Sequence, residues 1–283
     1  MWVFGGDNDT IARAHARTPR AGVGGSAAAD PRVSAAAAAS ASASRSAAVA
    51  ALPGQLDAIL GGGGDTWSVA TLDLATGAAT QLGATSGMYT GSIVKVLILE
   101  TLLRTQGGVA GLDSDEQSLA DAMITQSDND AATTLWDDAG GDDALDQTVS
   151  MLGLTDTQID PDGWFGASTT SAADQIKVLQ QLVSPTFLTA ADVAYARGLM
   201  AQVESDQRWG APTVADPGTV AENKNGWLNN DDDDGRWLVN TLGIETIGGQ
   251  PYLIAVLAQH QPDFDSGVDA LNQAVAAVAA TLR

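Results

Sequence analysis

Apolar positions recur along this chain in two rhythms, and their order describes an architecture. Val49, Leu52, Leu56 and Ile59 fall at helical spacing, with Gly61–Gly64 as the stop. Trp67–Leu74 and Ala78–Gly83 read as strands joined at Ala75-Thr76-Gly77, a hairpin by its turn chemistry. The middle of the chain turns helical, with segments near 92–105, 115–126, 129–138, 142–152, 171–183 and 189–203 punctuated by Gly, Asp and Ser clusters. Strands return near Thr219–Asn225, Arg236–Gly243 and Tyr252–Ala258. A last helix carries Val268, Leu271, Val275, Val278 and Leu282 on one stripe. Strands at both ends and helices between them predict an α+β fold. Its five-stranded antiparallel sheet is built from the two ends together, with the terminal helices over one face and a helical lobe over the other.

Residues 1–46 show no such rhythm. They are Gly-rich, then Ala/Ser-rich at Ala35–Ser46, and read as a disordered tail ahead of a domain at 47–283. Within that domain the sheet lobe is expected at about 47–90 and 205–283 and the helical lobe at about 91–204. No charged segment followed by an apolar one is visible at the start, so no secretory signal is read there. No apolar run approaches the roughly 18 residues of a membrane helix, and no membrane insertion is expected. A net charge of −22 argues against nucleic acid as a partner. The absence of cysteine removes disulfides, a thiol nucleophile and a cysteine metal site. No metal or cofactor is expected, and a monomer is.

The candidate chemistry begins at Gly91-Ser92-Ile93-Val94-Lys95. Gly91 releases the backbone into the helix, which leaves Ser92 near an N-terminus whose free N–H groups favour developing negative charge. Lys95 shares the face of Ser92, because residues three apart are helical neighbours. A lysine taken out of water beside a hydroxyl loses its proton readily and then acts as a base. Two more short motifs follow: Ser127-Asp128-Asn129 between two predicted helices and Lys224-Asn225-Gly226 at the end of a predicted strand. Each is weak alone. Together they should meet by chance in well under roughly one such sequence in a hundred. Lys95 and Lys224 are two of only three lysines in the chain, the third being Lys177.

This trio resembles the active-site signature of the class A β-lactamases and penicillin-binding D,D-peptidases, over roughly residues 47–283. The resemblance implies an active-site serine hydrolase, acylated at Ser92 by a β-lactam or a D-Ala-D-Ala-like peptide. Lys95 would accept the proton of Ser92, Ser127 would relay protons to the leaving nitrogen, and Lys224 would supply positive potential. Asn129, Asn225, Gly226, Trp227 and Arg236 would bind substrate, and Asp128 would tie its loop down. The oxyanion would rest on the backbone N–H groups of Ser92 and Trp227. By the same resemblance the protein is secreted or sits in the cell envelope.

The pattern departs from the family in three places. The stretch from Ser92 to Ser127 is short, and Asn225 stands where the family has Thr or Ser. The loop between Thr157 and Thr170 holds Pro161-Asp162-Gly163-Trp164-Phe165-Gly166-Ala167-Ser168, without the glutamate or asparagine that hold a deacylating water in the family. Acylation is therefore expected to stand and deacylation to be impaired. Asp160 and Asp162 read as turn residues around Pro161 and Gly163. The run Asn230–Gly235 reads as a solvated hairpin turn. Trp164 and Trp209 read as core, His15 and His260 as surface. The rival function is a non-catalytic module that binds cell-wall or other ligands on the same fold.

Overall fold

The computed structural model describes residues 31–283, and Ser44–Arg283 form one compact unit. The expected tail lies, over residues 1–30, outside the described residues. From Pro31 the chain is helix α1 (Pro31–Leu60), which starts well ahead of Val49. The Ala-rich run before Val49 has high intrinsic helix propensity even though it lacks an apolar stripe. The helix stops where Gly61 takes a positive φ of 74°.

Strands β1 (Trp67–Asp73) and β2 (Ala79–Gly83) form the predicted hairpin, followed by a two-residue strand β3 (Met88–Tyr89). The helical lobe comprises α2 (Val94–Thr105), α3 (Ser114–Asp121), α4 (Asn129–Asp138) and α5 (Gly141–Leu152). It continues past the short strand β4 (Thr169–Thr170) into α6 (Ala172–Gln181) and α7 (Ala190–Met200). Then come β5 (Glu222–Asn230), β6 (Arg236–Ile247), β7 (Gln250–Gln261) and α8 (Phe264–Leu282). The last three strands are longer than their apolar runs. The β5–β6 hairpin, for example, continues through polar Asn229 and Asn230, which pair with Trp237 and Arg236.

The sheet is five-stranded in the order β2-β1-β7-β6-β5, with every neighbouring pair antiparallel. Chain ends meet in its middle: β1 pairs directly with β7. Strand side chains alternate between faces, so β7 divides its apolar run between two cores. Leu253, Ala255 and Leu257 join the helical lobe, packed with Leu97, Ile98 and Leu102 of α2. Ile254, Val256 and Ala258 face the other way, against Leu52 and Leu56 of α1 and Leu271 and Val275 of α8. No helix among the described residues is long and apolar enough to cross a membrane.

Three consequences position the site. Strand β5 is the edge of the sheet, open along one side. Helix α2 is the central helix of the lobe, with Val94–Leu103 all buried, and the turn at its N-terminus abuts β5. The Ser127 segment leaves α3 through a π-helical turn, Ala122–Gln126, and is aimed at the same point.

Candidate active site

Ser92 lies in a 3-10 turn, Gly91–Ile93, that leads directly into α2. Gly91 holds φ +51°, and a Cβ built there would stand 3.1 Å from the backbone N of Trp227. A Cβ on Gly226 would lie 2.7 Å from the backbone N of Ser92 and 2.8 Å from that of Ile93. Two backbones can approach this closely only because both residues are glycine. Their approach sets the N–H groups of Ser92 and Trp227 beside one another, at the N-terminal end of a helix. Asn240 of β6 fastens the turn from behind: its amide donates to the carbonyls of Tyr89 and Thr90 at 2.8 and 2.9 Å, while its oxygen accepts from Ala258 N. Asn240 escaped notice in the sequence because it sits within the run noted for Arg236.

The other two motifs converge beside this turn. Lys95 Nζ donates to Ser127 O at 2.6 Å, to Asn129 Oδ1 at 2.7 Å and to Ser127 Oγ at 3.2 Å. Lys224 Nζ reaches the same Ser127 Oγ at 2.9 Å and its neighbour Asn225 O at 3.0 Å. One hydroxyl is thus held between two amines. Ser127 adopts the left-handed conformation, φ 61° and ψ 34°, uncommon for a residue with a side chain and sustained by these contacts. Asp128 caps α4 by accepting from Ala131 N. Ser92 Oγ itself has no hydrogen-bond partner among the described residues.

Both lysines are buried, and burial disfavours their charged forms. Lys95 is pushed down to about 8, against the pull of the Asp128 carboxylate. Burial, and after it the like charge of Lys95, hold Lys224 well below the ordinary lysine range. Once neutral, Lys95 can still donate to both carbonyl oxygens at 2.6 and 2.7 Å, with its lone pair left for a hydroxyl.

The loop at 157–170 makes its contact with Lys95 through an aromatic ring. Phe165 does the packing, its ring centroid 5.7 Å from Lys95 Nζ and 6.0 Å from the ring of Trp136. Thr90 Oγ1 donates to Phe165 O at 3.2 Å and so ties the loop to the serine turn. Asp160 Oδ1 accepts from the N–H groups of Asp162 and Trp164, closing its own turn, and Gly163 has φ +77°. Trp164, read from the sequence as core, is 74% exposed at the loop tip, while its neighbour Phe165 takes the inward place against Trp136.

Three expected substrate contacts lie elsewhere as side chains. Asn225 alternates with Lys224 on the strand and points to the other face, where its amide donates to Gln207 O and Trp209 O at 2.8 and 2.9 Å. Trp227 faces the same way and packs its indole against Trp209 and Phe264 at 6.1 and 5.8 Å. Arg236 pairs with Asn230 across the far end of the hairpin, and Lys224 with Leu242. At about 3.3 Å per strand residue that sets it roughly 20 Å along β5 from Lys224. There its guanidinium lies near His260 O, at 3.4 Å, on a strand whose His260 pairs with Asp233 at 2.5 Å. Strand alternation was available in the sequence, but the hairpin's true length was not.

A sheet built from both chain ends, a helical lobe over one of its faces, and a Ser/Lys, Ser-Asp-Asn and Lys-x-Gly set at their junction together define a β-lactamase-like protein. The comparisons with known proteins agree. Residues 108–282 match the model of the beta-lactamase enzyme family, a span that includes Ser127 and Lys224 and begins after Lys95. The "Putative lipoprotein LppW" of Mycobacterium tuberculosis is 30% identical over 223 residues, 75% of this chain and 69% of that one; its Mycobacterium bovis counterpart matches equally. Among solved structures, a class A β-lactamase from Mycobacterium abscessus superposes with a TM-score of 0.67 at 20% identity, covering 82% of this chain and 99% of its own. A variant of the class A β-lactamase of the last common ancestor of Gram-negative bacteria gives 0.68 at 21%, over 82% and 98%. A structure described as PBP-A gives 0.67 at 19%, over 82% and 95%. The chain belongs to the beta-lactamase enzyme family.

Proposed function

We propose that the protein is a serine hydrolase that forms an acyl-enzyme at Ser92 with β-lactams or with peptides ending like D-Ala-D-Ala, and releases it slowly. The observation that carries this reading is the shared grip of Lys95 and Lys224 on Ser127 Oγ, at 3.2 and 2.9 Å, beside the Ser92 turn. Amide opening through an acyl-serine needs a nucleophile, a base, a proton source for the leaving nitrogen and donors for the oxyanion.

Each part has an owner. Ser92 Oγ attacks the carbonyl carbon, its proton passing to neutral Lys95; in free enzymes such contacts are often loose and close with substrate. The backbone N–H groups of Ser92 and Trp227 receive the oxyanion. Ser127, in contact with both amines, delivers a proton to the departing nitrogen. Asn129 holds the substrate amide. A substrate carboxylate near Lys224 favours the protonated form of that lysine, and its charge in turn favours a neutral Lys95. Asn225 and Arg236 take no part in this step, and Gly226 and Trp227 serve it through their backbone.

Release is the slow half. Phe165 fills the space beside Lys95 where a carboxylate would have to activate water, and Asp160 is occupied by its own turn. The lipoprotein name of the mycobacterial relative supports an envelope location, where peptidoglycan peptides are found. The test is labelling with a fluorescent penicillin. A covalent band lost on Ser92→Ala supports the reading, and saturable binding that survives Ser92→Ala without a covalent band would instead establish the non-catalytic module.

A further inference from the structure

The left-handed Ser127 and the edge strand that carries Lys224 come from chain segments almost a hundred residues apart, yet their side chains meet at 2.9 Å. Something must hold the two segments in register. The 3-10 turn Ser205–Gln207, which follows α7, lies between them. Glu204 N donates to Thr125 O at 3.0 Å, and Gln207 Nε2 donates to Gln126 O at 3.0 Å. Both accepting carbonyls belong to the π-helical turn directly ahead of Ser127, where the regular helical bond pattern is broken. On its other side, Gln207 O accepts from Asn223 Nδ2 at 3.1 Å and from Asn225 Nδ2 at 2.8 Å. These two residues flank Lys224 in sequence. Asn223 and Asn225 are fully buried and Gln207 nearly so, and the two bonds to Gln207 O are shielded from water.

We propose that Gln207 is a positioning residue for the reaction, joining the Ser127 loop through its side chain to the Lys224 strand through its backbone carbonyl. On this view Asn225 is the strut of the third motif. Its two amide hydrogens, engaged by Gln207 O and Trp209 O, fix the strand from behind while Lys224 and Gly226 face the serine. A threonine or serine there has one hydroxyl hydrogen and could not span both carbonyls. The proposal rests on the acyl-serine reading for its kinetic consequence, and on geometry alone for its structural one.

The substitution is Gln207→Met, which keeps length and flexibility and removes the donor. Two measurements separate the two consequences. The first is the titration of lysine side chains by NMR in lysine-labelled protein, where only Lys95, Lys177 and Lys224 contribute. A loosened Ser127 loop admits water and separates the two amines, so the midpoints of Lys95 and Lys224 should move up toward the ordinary lysine value of about 10.4. Asp128 remains the cap of α4 beside Lys95 in both proteins, and Lys177, whose amine lies 2.7 Å from Asp174, supplies a reference signal from outside the site. The second is the rate constant of penicillin acylation, expected to fall between about tenfold and a hundredfold with little change in noncovalent affinity. Unchanged titration of Lys95 and Lys224 in a folded Gln207→Met protein overturns the proposal, whatever happens to the rate. Absence of acylation in the unaltered protein overturns the acyl-serine reading and leaves the titration to decide the positioning role. If Gln207→Met does not fold, Asn225→Leu, which removes both donors at the opposite end without adding a charge beside Lys224, is read by the same two criteria.

Discussion

The chemistry proposed for Ser92 turns on the protonation of Lys95, so the rate of acylation should follow the titration of that lysine. Burial brings Lys95 to about 8, well below the ordinary lysine range. With that midpoint, about one lysine in ten is neutral at pH 7 and about nine in ten at pH 9. An unperturbed lysine would be neutral in only about one molecule in 2,500 at pH 7. If neutral Lys95 is the base, the acylation rate constant should rise about tenfold per pH unit up to pH 7 and level off above 8. The gain between pH 6 and 8 should be roughly fiftyfold. Stopped-flow mixing with a chromogenic cephalosporin, over a pH range in which the fold is intact, measures it directly. A flat profile from pH 6 to 9, or a rise that continues past pH 10, would refute the reasoning. The same depression also has a stability signature. Between about pH 8 and 10.5 the unfolded chain binds this proton and the folded protein does not, so stability contributed by Lys95 increases with pH across that window.

Other expectations follow from single contacts. Gly226→Ala puts a methyl group 2.7 Å from Ser92 N, so the edge strand must withdraw and acylation should drop by at least about a hundredfold, with the protein still folded by circular dichroism; near-normal acylation would show that the two backbones need not touch. Glu245 is buried on β6 with neither carboxyl oxygen hydrogen-bonded, and burial, then the charge of Glu222, push it up to about 8. Its folded pKa is raised, so its stabilising effect is full below the unfolded value and lost as pH rises toward 8. Glu245→Gln should accordingly raise the melting temperature at pH 8 and change little at pH 4.5, a difference bounded by about 1.4 kcal/mol for each pH unit between the folded and unfolded midpoints; equal effects at both pH values would contradict it. Phe165→Glu sets a carboxylate where the aromatic ring now faces Lys95, and should raise steady-state nitrocefin turnover by about tenfold or more relative to the unaltered protein. If turnover stays the same, the obstacle to deacylation lies outside this loop.

Much of the fold was legible because its signals are local and redundant. The apolar stripe of α8 and the Ala-Thr-Gly turn between β1 and β2 needed no tertiary information. Nor did the continuous apolar run of β7, which marks a strand buried on both faces. What escaped depends on distant partners. The two-residue pairing of β3 with β4, Met88 with Thr170 and Tyr89 with Thr169, is too short for any periodicity to register. The polar extension of the β5–β6 hairpin moved Arg236 far from Lys224, since hairpin length is fixed by pairing and not by hydrophobicity. The site divides the same way. Motif spacing pointed to Lys95, Ser127, Asn129 and Lys224, which the structure brings together. Strand alternation turned Asn225 and the indole of Trp227 to the rear. Gln207 and Asn240 act through carbonyl groups of remote segments, and no motif marks them. Glu100, buried within α2 with neither oxygen hydrogen-bonded and raised well above the carboxylate range, likewise gave no sign beyond an apolar helix.

Intact-mass spectrometry after exposure to benzylpenicillin tests the central claim most directly. A gain equal to the whole penicillin, mapped to the peptide containing Ser92, absent from Ser92→Ala and persisting long after free drug is removed, is the expected result. An unchanged mass at saturating drug, or an adduct mapped to another residue, would contradict it.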